Sequence, residues 1–249
     1  MARANGILQI EGTMQDMTFY KSQDGHMVRQ KGGVSKQRIE TDPRFARTRE
    51  NGAEFGNSAE AGKLLRGTLR SLMLNTADNR VTSRMTKTMT EIKNLDTTSE
   101  RGKRTVAIGI NNPAAAPLLK GFNFNLLAIL GSVLFSPYKV DIVNGNISID
   151  NFVPLNDVVY PDGATNVSLT SAFAIVDFAT GVTTIQYSPV IDLPINTTST
   201  NVVLKPVSVP AGAGTKFYVL HIEFFQMVNG HQYQLKNGAY NVLSIVKES

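Results

Sequence analysis

The chain of 249 residues has no cysteine, no tryptophan, three histidines and no arginine beyond Arg104. Without cysteine there are no disulfides, thiol nucleophiles, zinc–thiolate sites or iron–sulfur clusters, although the compartment stays open. Long apolar runs are also missing. The longest, residues 126–135, is broken by Gly131 and Ser132 and falls well short of the ~20 residues that span a bilayer. No membrane span is expected. The N-terminus, Met1-Ala-Arg-Ala-Asn-Gly-Ile-Leu, reaches Glu11 before an apolar stretch can form, so it does not read as a secretory signal. The expectation is cytoplasmic synthesis without a signal peptide, compatible with later incorporation into a released particle.

What is present is a globular composition, 42% apolar and 18% charged, with a marked division of charge. Residues 1–105 hold 19 Lys and Arg against 12 Asp and Glu, whereas residues 106–249 hold 6 against 8. Such asymmetry points to two parts with different surfaces. The basic part could face an acidic partner, nucleic acid, or the acidic half of another copy.

Four segments can be read along the chain. Residues 1–33 predict a hairpin: 7–11 alternates, Met17-Thr-Phe-Tyr is strand-like, and Asp24-Gly25 supplies a turn before His26. Residues 34–104 form a basic helical region that begins at Asp42-Pro43, with Asp as N-cap and Pro in the first turn. Gly52, Gly56, Gly62 and Gly67 interrupt it and require either close backbone packing or a break near Gly56. A second helix is expected over 78–95, where Val81, Met85, Met89 and Ile92 share a face. Residues 105–136 join the halves through a strand at 105–110 and short apolar helices. Residues 137–249 carry an Asn144-Gly145 hairpin and strand-like runs at 171–178, 183–187, 201–209, 216–227, 231–235 and 240–246. Turns recur every 8–12 residues or so, as in a sandwich. The expected class is α+β: an N-terminal β-hairpin and helices followed by an Ig-like or jelly-roll antiparallel β-sandwich.

The stretches Asn5-Gly6-Ile-Leu-Gln-Ile-Glu-Gly12-Thr, Asp16-Met-Thr-Phe-Tyr-Lys21, Val28-Arg-Gln-Lys-Gly-Gly33, Asp42-Pro43-Arg-Phe-Ala-Arg-Thr-Arg49 and Asn229-Gly230-His-Gln-Tyr233 form a pattern. It resembles an uncharacterised protein family of Bacteroidota that pairs an N-terminal hairpin and basic helices with a C-terminal β domain. The resemblance implies architecture and no activity.

The search for chemistry finds little. There is no G-x-S-x-G elbow, P-loop, H-E-x-x-H or Rossmann fingerprint, so neither an enzyme nor a cofactor is expected. Strand alternation puts His221 and Glu223 on one face, which reads as a polar pair on a solvated sheet rather than half of a metal or acid–base site. His26 and His231 read as turn residues. Asp141, Asp150, Asp157, Asp162, Asp177 and Asp192 lack the dense spacing of a calcium loop. The candidate interaction surface is Phe19 and Tyr20 on the hairpin with Arg44, Arg47, Arg49, Arg66, Arg70, Arg80, Arg84 and Lys87 on the helices. Glu50, Glu54, Glu60 and Glu91 are interleaved and no aromatic falls between Phe55 and Phe122, so a salt-bridged face suits this region better than a phosphate-binding one. The favoured function is a non-enzymatic, self-associating component of a multi-subunit particle, tube or filament, of phage- or injection-particle type. Its partners would be further copies or other subunits, with the front third seeking support outside itself while the β-sandwich stands alone. The alternatives are a glycan- or protein-binding sandwich module, through loops 161–166 and 194–201, and a nucleic-acid-associated basic protein.

Overall fold

The computed structural model describes residues 2–3, 10–30, 33–76, 78–235 and 238–249. Its contacts divide the chain into two compact units, Met1–Asn51 and Gly52–Ser249.

The first unit holds a four-stranded antiparallel sheet in the order β1-β4-β3-β2, with β1 Ala2–Arg3, β2 Gly12–Met14, β3 Met17–Ser22 and β4 Gly25–Gln30. The expected hairpin is the β3–β4 pair, with Ser22 opposite Gly25. Gly25 sits at φ +105°, a conformation that suits glycine. The strand expected over 7–11 falls largely outside the described residues. Because Met14 pairs with Met17 and Phe19 with Val28, these four side chains share one face of the sheet. Thr18, Tyr20, Met27 and Arg29 share the other, where the Arg29 guanidinium lies 5.5 Å from the Tyr20 ring centroid.

The sheet is followed by α1 (Lys36–Thr41), whose N-cap Ser35 accepts a bond from the Arg38 amide. Asp42 then caps a 3₁₀ turn over Pro43–Phe45 by accepting from the Arg44 amide at 3.0 Å. The start expected at Asp42-Pro43 is therefore found. Arg49 reaches back to donate to the carbonyls of Ile39 (2.7 Å) and Asp42 (3.0 Å). No described residue of Met1–Asn51 is buried.

The helix α2 (Ala46–Thr68) crosses the boundary between the units without breaking at Gly56. After it come α3 (Arg70–Met73), α4 (Val81–Lys93), α5 (Val106–Gly109), α6 (Ala116–Leu119) and α7 (Leu130–Val133). The remainder consists of β5 (Tyr138–Val140), β6 (Ile147–Phe152), α8 (Pro154–Asp157), β7 (Asn166–Val176), β8 (Thr183–Tyr187), β9 (Ile191–Pro194), β10 (Thr200–Leu204), β11 (Thr215–Val228), β12 (His231–Gln234) and β13 (Val242–Glu248).

At the centre β11 and β7 pair antiparallel from Thr215↔Val176 to Phe225↔Asn166. The free edge of β11 is shared by β13 and β12, and that of β7 by β8 and β9. This gives a six-stranded sheet. A second sheet, β10-β6-β5, covers one of its faces. Ile147, Ile149, Phe152, Val202 and Leu204 of the small sheet meet Val167, Leu169, Phe173, Tyr218, Leu220, Ile222 and Phe224 of the large one. The helices cover the other face: Ala61, Leu65, Leu69, Met85, Met89, Ile92, Val106 and Leu119 share a core with Ala172, Ala174, Val176, Phe217, Val219, Leu243 and Ile245. Each fully buried Leu, Ile, Phe or Met contributes about 1.5–3 kcal/mol. From Gly52 onward the basic helices are therefore a layer of the same unit as the sheet. The contacts divide the chain at Asn51, within the region 34–104 that composition marks as basic and helical.

Three local differences have physical causes. The stretch 105–110 holds the helix α5 (Val106–Gly109) with its caps, not a strand. Thr105 caps the helix, its own amide donates to Asp96 Oδ2, and the Val106 amide donates to Asn57 Oδ1; a short apolar run does not reveal by periodicity which it will be. Among the α2 glycines only Gly62 has a close neighbour, with Met85 Cγ 3.2 Å from where its Cβ would lie, whereas Gly52, Gly56 and Gly67 face open space. Glu54, expected on a solvated face, is buried instead. Its Oε2 accepts from Lys93 Nζ at 2.5 Å and its Oε1 from the Gly102 amide at 2.7 Å, which pins α2 to α4 and to the loop after it. The Lys93 ammonium, acting against burial and with help from Gly102, holds the Glu54 carboxyl below its usual value.

Glu54→Ala leaves the Lys93 ammonium buried and unpaired, so urea unfolding should show a loss of about 3–5 kcal/mol; a change near zero would mean that Lys93 finds water. Gly109→Ala would place a Cβ 2.1 Å from the Ile92 carbonyl oxygen. Overpacking of this kind costs about 1–3 kcal/mol or more, which a thermal-unfolding comparison with wild type would register as a lowered midpoint.

Candidate functional site

The ten candidate contact residues divide between the units and between two roles. In the first unit Phe19 and Tyr20 are half-buried on opposite faces of the sheet. Arg44 is exposed beside Asp42 at 3.8 Å, and Arg47 pairs with Glu50 at 2.9 Å. Arg49 is used internally as the tie to α1 described above. In the second unit Arg66 bridges helices, donating to Thr82 Oγ1 at 2.5 Å and to the Gly62 carbonyl at 3.2 Å. Arg84 donates to Asp78 and, at 2.8 Å, to the Asn123 carbonyl, with its guanidinium 5.0 Å from the Phe122 ring centroid. Arg70, Arg80 and Lys87 remain exposed, Lys87 lying 3.9 Å from Glu91 at i, i+4. The structure thus takes Arg49, Arg66 and Arg84 out of the candidate surface and into the framework. Their short-range acceptors, mostly backbone carbonyls, leave no trace in a charge count.

The acidic residues follow the same rule. Asp141 Oδ1 accepts from the amides of Val143 and Asn144, and its Oδ2 from the Asn144 side chain. Asp177 does the same with Ala179, Thr180 and the Thr180 hydroxyl. Both loops close on a glycine, Gly145 or Gly181, whose amide donates to the aspartate carbonyl at 2.8 Å and whose φ is +76°. The expected Asn144-Gly145 hairpin is present between β5 and β6, but as this longer Asp-capped loop; both residues of a two-residue I′ turn need positive φ, and only Gly145 has it. At Asn229-Gly230 both do. The repeated Asp-x-x-(Asn/Thr)-Gly spacing was a legible signal in the sequence. Asp96 is buried as well. Burial alone would raise its carboxyl, but bonds from Ser99, Thr105 and Thr98 outweigh that and hold it well below the carboxylate range. In the loops 161–166 and 194–201, Thr165 donates to Asn166 and Asn196 accepts from the Thr198 amide, so part of their polar inventory serves the loops themselves.

His221 and Glu223 do share a face, with Nε2 3.7 Å from Oε1, yet that face is the one beneath the helices. His221 is 4% exposed, and its Nε2 has no hydrogen-bond partner. Across the strands Glu223 stands opposite Ser168, and Ser168 opposite Asp192, with the Ser168 hydroxyl donating to Asp192. Asn75 donates to Glu223 at 2.6 Å, while its carbonyl accepts from Asn241 at 3.0 Å. This row latches the loop after α3 onto the sheet. Burial pushes the Glu223 carboxyl up, Asn75 opposes the shift and Asp192 adds to it. Burial pushes His221 down to about 4. The expectation of a solvated polar pair is therefore corrected: strand alternation gave the shared face but not the layer above it. His26 is the second residue of β4, after Gly25, and His231 opens β12 and is exposed. Among the described residues no group of three or more His, Asp or Glu could hold a metal ion, and no helix is long and apolar enough to cross a membrane.

No family model, curated protein or solved structure matches the chain.

The buried His221 makes stability depend on pH. Between about pH 6.5 and the folded value near 4, the unfolded chain takes up a proton that the folded chain refuses. Stability therefore falls as pH falls through that window, by about 3 kcal/mol for a shift of this size at ~1.4 kcal/mol per unit. The upward shift of Glu223 acts in the opposite sense at acid pH. Urea unfolding of wild type and His221→Gln at pH 7 and pH 4.5 should give a shallower pH slope for the variant, and equal slopes would show that His221 titrates normally.

Proposed function

We propose that this chain is a non-enzymatic structural protein that self-associates into a multi-subunit particle, tube or filament, with the N-terminal unit as its association element. The observation that carries the reading is the state of Met1–Asn51. It holds a four-stranded sheet with no buried described residue, yet one face presents Met14 and Met17, 58% and 50% exposed, beside Phe19 and Val28. A sheet becomes stable by packing an apolar face on something. A second copy is the occupant this reading commits to, because the unit is basic while residues 106–249 carry net negative charge, so neighbouring copies complement one another.

In this reading the two-sheet block behind its helical layer, an Ig-like or jelly-roll-like sandwich, is the rigid body that the unit links. The assembly this reading envisages is of phage or injection-particle type, and the resemblance to a Bacteroidota family of similar architecture is compatible with it. The exposed Arg70, Arg80 and Lys87 support a second reading, contact with a polyanion such as nucleic acid, although half-buried Arg66 and Arg84 are already committed to internal partners.

Light scattering after size-exclusion chromatography tests the leading reading. The full chain should elute as an oligomer, and both a variant lacking residues 1–33 and the full-length double variant Met17→Glu, Phe19→Glu should elute as folded monomers. An unchanged mass in both variants, or a monomeric wild type across concentrations, would defeat it. Salt-sensitive retention of that monomer on heparin would favour the polyanion reading instead.

A further inference from the structure

The geometry points to a binding site for an alkylammonium group in the cavity where one end of the six-stranded sheet meets the α5 segment. This site lies wholly within Gly52–Ser249 and does not depend on the assembly reading.

The cavity has a volume of about 480 Å³, within the range of small-ligand sites. Ala107 and Ile110 form one wall. Val176, at the end of β7, and Phe178, in the loop that follows, form another, and Glu248 of β13 contributes the polar group. Glu248 is 7% exposed, and its Oε2 is buried without a hydrogen-bond partner. Burial pushes this carboxyl up, with the charge of Lys247 opposing the shift. Lys247 is not its partner: it stands opposite Tyr218, while Glu248 stands opposite Phe217, so the two side chains leave opposite faces of the strand. The other acid at the cavity, Asp177, already uses both carboxylate oxygens on its own loop. No Lys, Arg or His is among the described residues lining the space.

A shielded carboxylate oxygen with no hydrogen-bond partner is costly, and the cavity beside it selects what can pair with it. An anion would be repelled. A hard divalent cation requires about six oxygen ligands, and no cluster of three acidic or histidine side chains exists among the described residues. An ammonium group needs only one strong acceptor for a charge-assisted bond. Its alkyl chain would lie against Ile110 and Val176, with Phe178, whose ring is T-shaped to that of Phe217 at 6.2 Å between centroids, as an aromatic wall for a cation. Acceptor, apolar wall and aromatic face together match an aliphatic amine, either a free one or the side chain of a lysine on a partner.

NMR titration of the full chain with n-butylammonium, n-butanol and a lysine blocked at both main-chain ends tests the site. Butylammonium should shift the resonances of residues 107–111 and 177–179 saturably. Butanol should bind at least about tenfold more weakly, and Glu248→Gln should weaken butylammonium by a similar factor, the loss expected for a charge-assisted bond. Ala107→Leu, which adds bulk to the cavity wall and leaves Glu248 in place, should abolish the response. If blocked lysine binds as butylammonium does, the site receives a protein side chain; if only butylammonium binds, it receives a small free amine. Absence of saturable shifts, equal binding of butanol, or full binding by Glu248→Gln would overturn the proposal.

Discussion

The rest of the structure depends on the burial of β7 and β11 on both faces. Along each strand alternate side chains enter different cores: Phe173 and Ile175 face the small sheet while Ala172, Ala174 and Val176 face the helices. Tyr218, Leu220 and Ile222 are divided from Phe217 and Val219 in the same way. A central pair with no solvent face requires a cover on each side. The three-stranded sheet provides one, and the helices from α2 to α6 provide the other. The small residues at 172 and 174 allow those helices to approach, while the stacked Phe173 and Tyr218 rings, 4.6 Å between centroids, fill the space towards the small sheet.

Once the helices are a cover, their charges take on different roles. A helix lying on a sheet must neutralise or exclude whatever charge falls between its layers. Glu54 and Lys93 are retained there as a pair, and Asp96 is retained by hydrogen bonds donated from Thr98, Ser99 and Thr105. Arg66 ties α2 to α4, and Arg84 ties α4 to the segment at Asn123. The basic character that composition assigns to this region is thus partly structural. Arg70, Arg80 and Lys87 stay exposed, and none of the described residues of the N-terminal unit is buried.

The legible part of the fold was the part set by local rules. Val81, Met85, Met89 and Ile92 repeat at helical spacing and are buried together. Asp42-Pro43 starts a helical turn and Gly25 permits the tight β3–β4 connection. Turn residues separate the strands of the C-terminal region, where β8, β11 and β12 lie close to their expected positions and β9 was not foreseen. The candidate site was less legible. Arg44 and Arg49 look alike in sequence, yet one is exposed and the other is bonded to two carbonyls; a side chain several bonds long finds its acceptor only after the backbone is placed. Glu248 drew no notice because nothing about a glutamate near the end of a strand reveals that its carboxyl will be shielded and partnerless.

By itself the sequence determined the secondary elements with strong periodicity, the turns that need glycine or an aspartate cap, and the separation of charge along the chain, because these are fixed by near neighbours. The continuous apolar runs 172–176 and 217–220 also recorded that both faces of those strands would be buried, a signal available before any coordinates. Which element would cover the second face was decided only by tertiary structure, since it rests on residues more than a hundred positions apart that share one core, such as Leu65 and Ile245. The same long-range packing made Val106–Gly109 a helix and buried His221 beneath a layer of helices.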